Sequence, residues 1–326
     1  LKFIFKSMNR KRSRTYIKNL IFMILTVLQS SCTFGDEPGV CPYNTRLDYW
    51  YAGSGSENQL PVYVDNLRQY LFDSEGELLG VEPLRGDSIR GWQGNLAAGE
   101  YTVVLWGNLA DDGSDGLAIE PESGQRLADM ELSAVTSGAP PGYRTNTGRL
   151  YYGNLTFRVE EGRSFRRRVY LSHAHASLHV TVQWMADAPA EGGTYRMRMK
   201  GIASEYGFVK GWESEEQPGG GSYAVPYIGT SRTNHETRAS MNYDGEVTGE
   251  FVTFRYTSGT HQLWSLWRND ERIVGDLDLY RFFAKKPMDM DRNIEQEFEI
   301  LVTVYADKII VTEVTESDWD EGGAIG

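Results

Sequence analysis

Glu100-Tyr101-Thr102-Val103-Val104-Leu105-Trp106-Gly107 is the stretch on which the fold class turns. Its β-branched and aromatic side chains make it a strongly apolar strand, with Gly99 before it and Gly107-Asn108 after it as punctuation. The same grammar extends in both directions. Upstream, residues 67–72 form a strand that ends in the turn Asp73-Ser74-Glu75-Gly76 and returns over residues 78–81, a hairpin. Further upstream, residues 45–51 alternate, with Leu47 and Tyr49 on one face and Asp48 and Trp50 on the other. Downstream, residues 150–155 and 164–182 complete a first group of strands. A second group follows at residues 195–200, 247–256, 262–267, 272–279, 294–305 and 308–314, the last two joined by a turn at Ala306-Asp307. The segment Tyr195-Arg196-Met197-Arg198-Met199-Lys200 alternates cleanly between apolar and basic.

No long stretch carries a 3.6-residue period. Short helices are expected only at residues 59–68 and 284–292. Loops are expected at residues 110–125, 136–148 and 214–222, which are acidic or rich in glycine and proline. With 35 glycines and 12% aromatic residues, the composition favours short strands joined by glycine turns, and therefore β-sandwiches. The domain boundary is expected near Tyr170, beside the basic run Arg166-Arg167-Arg168.

The first 31 residues are of another kind. Seven basic residues and no acidic one precede the apolar run 20–28, which only Thr26 interrupts, and Ser30-Ser31 leads to Cys32. This order reads as a secretory signal, too short in its apolar part to span a bilayer as a helix. Leu28-Gln29-Ser30-Ser31-Cys32 resembles a bacterial lipobox, although Leu28 sits four residues before the cysteine rather than three. Cys32 is therefore the expected lipid attachment point, and lipid the expected hold on the outer membrane. Loss of the seven leader basics takes the formal net charge from −12 to −19. So acidic a surface repels polyanions and excludes a nucleic-acid partner. If Cys32 carries lipid, Cys41 has no partner, and neither a disulfide scaffold nor a zinc spacing is present.

Catalytic signatures are not visible: there is no GxSxG elbow, no HExxH and no phosphate-binding glycine loop. The expectation is a protein that is not an enzyme and needs no cofactor. His173, His175 and His179 share one face of a strand with Thr181 and Gln183, opposite Tyr170, Ala174, Leu178, Val180, Val182 and Trp184, the expected core face. Imidazoles at i and i+2 suit a metal with a third ligand, but they equally suit a polar strand face turned to solvent or to a neighbouring strand. The second reading is preferred, and no metal is expected. Trp50, Tyr51, Trp264 and Trp267 are candidates for a sugar-stacking platform, although Trp264 and Trp267 fall on opposite faces. Arg85-Gly86-Asp87 and Asp87-Ser88-Ile89 match short adhesion and O-glycosylation motifs, each only three residues long.

Several segments in order carry a family resemblance. Cys32 is followed by Asp36-Glu37, and Cys41-Pro42-Tyr43-Asn44-Thr45-Arg46-Leu47 opens the mature domain. Tyr63-Val64-Asp65-Asn66-Leu67-Arg68-Gln69-Tyr70-Leu71-Phe72-Asp73 with Gly76 follows, then residues 96–107. This order resembles the FimB-like fimbrial anchor lipoproteins of type V pili in Bacteroides-type bacteria. The resemblance implies an all-β fold of two tandem transthyretin-like β-sandwich domains. It implies a role in anchoring or terminating a fimbria, with pilin subunits as partners. Polymerising pilins of this kind lose their first strand after cleavage at an arginine; an anchor keeps it, here residues 45–51, with Arg46 the nearest such residue. The chain then divides into a signal (1–31), a lipidated linker (32–44), two sandwiches (45–170 and 171–314) and an acidic tail (315–326). The strand Lys308, Ile309, Ile310, Val311, Thr312, Glu313, Val314 is the candidate partner-binding element; its rival reading is an ordinary edge strand. The alternative function is a surface glycan-binding sandwich.

Overall fold

A computed structural model describes residues 43–314, except 54, 111–112, 121–124, 135–141, 187–188, 190–191 and 286–287. The run that opened the sequence is β5 (Gly99–Gly107), and its unbroken apolarity has a simple cause. Tyr101, Val103 and Leu105 enter one apolar core while Val104 and Trp106 enter another, so both faces of the strand are covered. β5 lies at the centre of a five-stranded antiparallel sheet with β2 (Asn66–Phe72), β3 (Leu78–Arg85), β8 (Tyr151–Val159) and β10 (Ser172–His173), in the order β10-β8-β5-β2-β3. β2 and β3 form the expected hairpin, and Gly76 takes φ 78° in its turn, where a side chain would be strained.

One face of this sheet is closed by three strands, β4 (Gly91–Gly94), β1 (Thr45–Trp50) and β9 (Phe165–Tyr170), in the order β4-β1-β9. β1 has the alternation read from the sequence, with Leu47 and Tyr49 fully buried. It pairs antiparallel with β4 and parallel with β9, and so keeps both its neighbours. A single-turn helix α1 (Leu60–Tyr63) stands where a longer one over 59–68 was expected; β2 begins at Asn66, because its side chains are needed in the two cores.

The second large sheet has eight strands, in chain order β11 (His175–Trp184), β12 (Tyr195–Ala203), β15 (Arg232–Met241), β16 (Val247–Phe254), β17 (Leu263–Arg268), β18 (Glu271–Asp278), β19 (Glu297–Val304) and β20 (Ile309–Glu313). Their spatial order is β18-β17-β12-β15-β16-β11-β19-β20. β17 and β18 turn through Asn269 and Asp270, both at positive φ as the tightest hairpins require. The fourth sheet joins distant parts of the chain: β6 (Leu117–Glu120) and β7 (Glu131–Ala134) pair with β13 (Glu205–Glu213) and β14 (Ala224–Ile228), in the order β14-β13-β7-β6. β6 falls inside the expected loop 110–125. Its four residues Leu117-Ala118-Ile119-Glu120 are too short a run to stand out among the surrounding acidic and glycine residues, and pairing with β7 makes them a strand. Helix α2 (Leu279–Phe283) ends where one was expected to begin; Asp278 caps it by accepting from the Tyr280 N–H.

The all-β class and the two-sandwich architecture are thus those expected from the sequence. Between the halves, Trp106 and Tyr152 of the five-stranded sheet meet Tyr206 and Phe208 of β13, and Tyr206 stacks on Phe254 at 4.2 Å. Each such buried aromatic contributes roughly 1.5–3 kcal/mol of transfer free energy. Two buried hydroxyls add direction: Tyr152 donates to the Phe208 carbonyl at 2.8 Å and Tyr206 to the Ala174 carbonyl at 2.5 Å.

Candidate functional site

β20 is the terminal strand of the eight-stranded sheet. It pairs with β19 from Val304↔Ile309 to Ile300↔Glu313, through the turn at Ala306-Asp307 that the sequence indicated. Val311 packs against the core and holds the strand down. Ile309 and Ile310 remain 39% and 40% exposed, Lys308 and Thr312 are exposed, and Glu313 and Val314 are half-buried. Alternate backbone N–H and C=O groups of an edge strand point away from its one neighbour, so a second strand has both hydrogen bonds and two isoleucines to meet.

Three other edges carry residues that resist an added strand. β3 carries Glu82 and Pro83, β14 carries Pro226, and β18 carries Glu271, Arg272, Asp276 and Asp278. Proline cannot donate to an added strand and charge resists burial beside one. β20 combines exposed apolar side chains with a strand free of proline.

The histidines are not on a solvent face. The chain leaves the five-stranded sheet at His173, passes through Ala174 and enters the eight-stranded sheet at His175. Residues on both faces are therefore covered: His173 is 1% exposed and His175 is fully buried, while only His179, further along β11, is half-exposed. The two rings stack at 4.2 Å, and the His173 ring lies beside Tyr51 and Tyr151. Nδ1 of His175 contacts the Leu150 carbonyl at 2.8 Å; Nε2 of His173 contacts the Tyr51 hydroxyl at 2.6 Å, which in turn donates to Glu295 Oε1 at 3.0 Å. Burial, with nearby Arg255 and Arg149, pushes His173 down to about 2 and His175 to about 4, so both are neutral at physiological pH. A side-chain ligand atom from each of His173, His175 and Glu297 lies within 4.8 Å of the others. Nothing in the sequence around Glu297 links it to histidines more than a hundred residues earlier; only the parallel pairing of β11 with β19 brings them together.

A family model of the fimbrillin-A associated anchor proteins Mfa1 and Mfa2 matches residues 37–321. The chain belongs to this family. The fimbrial-anchor resemblance read from the sequence is therefore correct. Among solved structures, the fimbrial anchor protein Mfa2 from Porphyromonas gingivalis is similar at a TM-score of 0.61 and 16% identity, over 83% of this chain and 96% of that one. A Bacteroides thetaiotaomicron protein provisionally assigned as polysaccharide-binding gives 0.63 at 13% identity, over 84% and 98%. A provisionally assigned adhesin of the same species gives 0.59 at 17%, over 84% and 99%. At these identities the likeness is one of fold. No curated protein matches the chain by sequence.

In this anchor-family chain, Cys32, Cys41 and the tail 315–326 lie outside the described residues. Arg46 lies within β1 and pairs with Asp48 at 2.8 Å, while Arg166 of β9 holds the other Asp48 oxygen at 2.7 Å. The four aromatics considered as a sugar platform do not make one. Trp264 is fully buried, Tyr51 is turned into the junction, and the Trp50 and Trp267 rings are covered by the guanidiniums of Arg168 and Arg198 at 4.1 and 4.2 Å. The Arg85-Gly86-Asp87 segment passes from β3 into a 3-10 turn (Gly86–Arg90), in which the Ser88 hydroxyl donates to the Arg85 carbonyl at 2.7 Å and Ile89 is buried.

Proposed function

We propose that this chain is a non-enzymatic surface lipoprotein that anchors or terminates a fimbria at the outer membrane. Lipid on Cys32 holds the membrane, and β20 with its flanking residues, Lys308 to Val314, engages a pilin strand. The observation that carries this reading is the combination of anchor-family membership with an apolar, proline-free edge strand at the end of the eight-stranded sheet. Adding a pilin strand there satisfies the outward backbone groups and covers Ile309 and Ile310 in one step. β1, paired on both sides and buried through Leu47 and Tyr49, suits a subunit that keeps its first strand.

The test replaces Ile309 and Ile310 together by lysine, which leaves Val311 and the β19 pairing in place. Cells carrying this variant are expected to shed fimbriae into the medium, and the purified protein to lose pilin capture, at an unchanged melting temperature. Full retention of fimbriae and of pilin capture refutes the β20 contact. Cys32→Ala separates the two roles: it is expected to release the protein from membranes with pilin capture intact. Specific glycan binding by a chain whose loss leaves fimbriae unaltered would replace this reading with a glycan-binding one.

A further inference from the structure

We propose that His173, His175 and Glu297 form a site for one divalent transition-metal ion, with Zn2+ the best match, which clips the two sandwiches together where the chain crosses between them. This departs from the absence of metal expected from the sequence, where the histidine face was taken to meet solvent or a neighbouring strand.

The hydrogen bonds fix the tautomers. A carbonyl oxygen only accepts, so the contact of His175 Nδ1 with the Leu150 carbonyl places the proton on Nδ1 and leaves Nε2 with a bare lone pair. The Tyr51 hydroxyl has one proton and gives it to Glu295, so its contact with His173 requires an Nε2–H donor and leaves Nδ1 bare. These two bare nitrogens, His173 Nδ1 and His175 Nε2, are both buried and have no hydrogen-bond partner. A fully buried, unpartnered acceptor is rare because it is unfavourable; two on adjacent stacked rings point to a shared electrophile.

The rest of the arrangement has the character of a metal site. Each imidazole is held by a hydrogen bond through its other nitrogen: His175 by a backbone carbonyl, His173 through the relay Tyr51 to Glu295. Glu297 supplies the anionic ligand from the start of β19. Two imidazoles and a carboxylate, with a fourth position for water, form a donor set that suits Zn2+. Tetrahedral bonds of about 2.1 Å place ligand atoms about 3.4 Å apart, so a set within 4.8 Å must close by roughly an ångström. Glu297 has the freedom to do this, since half its side chain is exposed. Its present partner is Arg149 at 3.3 Å, which also approaches Glu250 at 3.8 Å and can turn to it. His173 belongs to one sheet, and His175 and Glu297 to the other, so the ion would bridge them.

The experiment uses the full chain, purified without a polyhistidine tag and stripped with chelator. Zn2+ is titrated against a competing indicator, Co2+ is followed by its visible absorption, and the melting temperature is read with and without metal. One Zn2+ per chain, a rise in melting temperature and the absorption of nitrogen- and oxygen-ligated Co2+ are expected. Glu297→Gln changes an exposed side chain, so the chain still folds, and is expected to weaken Zn2+ binding more than about tenfold; Tyr51→Phe weakens it about tenfold through the lost relay. His179→Gln leaves binding unchanged. The proposal is overturned if the wild-type chain binds no stoichiometric metal, if Glu297→Gln binds as tightly as wild type, or if His179→Gln abolishes binding.

Discussion

Tyr206→Phe isolates what one hydroxyl does at the junction of the two halves. The ring is fully buried and stacked on Phe254, and phenylalanine retains that packing. The hydroxyl has two partners: it donates to the Ala174 carbonyl at 2.5 Å and accepts from the Arg255 backbone N–H at 2.7 Å. Removing it leaves a buried donor and a buried acceptor short of a partner. Each orphaned buried group costs about 1–3 kcal/mol, less where a second lone pair is still satisfied, so the loss should be about 2–4 kcal/mol. For a chain of this size that corresponds to roughly 4–10 °C in melting temperature. Calorimetry and urea unfolding of the chain would both read it, with the denaturant slope unchanged, because the area exposed on unfolding is the same. Tyr152→Phe is the internal control. Its hydroxyl donates to the Phe208 carbonyl, but Asn154 also approaches that carbonyl, at 3.4 Å, and can take over, so a smaller loss is expected. A Tyr206→Phe loss below about 1 kcal/mol, or one no larger than that of Tyr152→Phe, would show that the hydroxyl is not what ties β13 to the Ala174 crossover.

Three further outcomes follow from individual positions. His235 is buried in β15, contacts the Thr145 carbonyl at 3.1 Å, and is pushed down to about 4 by burial and by Arg144. Both states are neutral above about pH 6.5; below it the unfolded chain takes the proton first, so stability falls from pH 6.5 towards pH 4 and then levels off. The full effect is about 3 kcal/mol, and a His235→Gln chain that folds should lose that part of the acid slope in urea midpoints measured across this range. Gly221 lies so close to β9 that an added Cβ would stand 2.0 Å from the Arg168 carbonyl oxygen, so Gly221→Ala should destabilise by about 1–3 kcal/mol; an unchanged urea midpoint would contradict this packing. Arg255 is fully buried, with its guanidinium donating to the carbonyls of His173, Met290 and Asn293, and burial lowers its pKa to about 10. Arg255→Met fills the space but takes the guanidinium donor from the buried His173 carbonyl and from the Asn293 carbonyl, while Gln296 still donates to the Met290 carbonyl at 2.8 Å, and a loss of about 3 kcal/mol in chemical denaturation is expected.

Much of the fold was legible locally. The alternation of residues 45–51, the hairpin turn at residues 73–76 and the pairing of β19 with β20 through Ala306-Asp307 each depend on side chains within a few residues of one another. Such patterns set the strand period and the turns directly. The stretch 100–107 announced a strand, but not that Val104 and Trp106 serve a different core from Val103 and Leu105. Period-two alternation says which residues share a face; it does not say whether that face is covered. For the same reason the face of His173 and His175 was read as polar and turned to solvent or a neighbouring strand, whereas the crossover at Ala174 places it under Tyr51 and Tyr151. The β6 strand and the ligand set completed by Glu297 were invisible for a related reason: strand pairing joins residues with no sequence relation, and β6, β7, β13 and β14 come from both halves of the chain. The sequence alone determined the β grammar, the acidic surface and the family. Only tertiary packing decided which polar residues were buried, and that β20 lies at a sheet edge with Ile309 and Ile310 exposed.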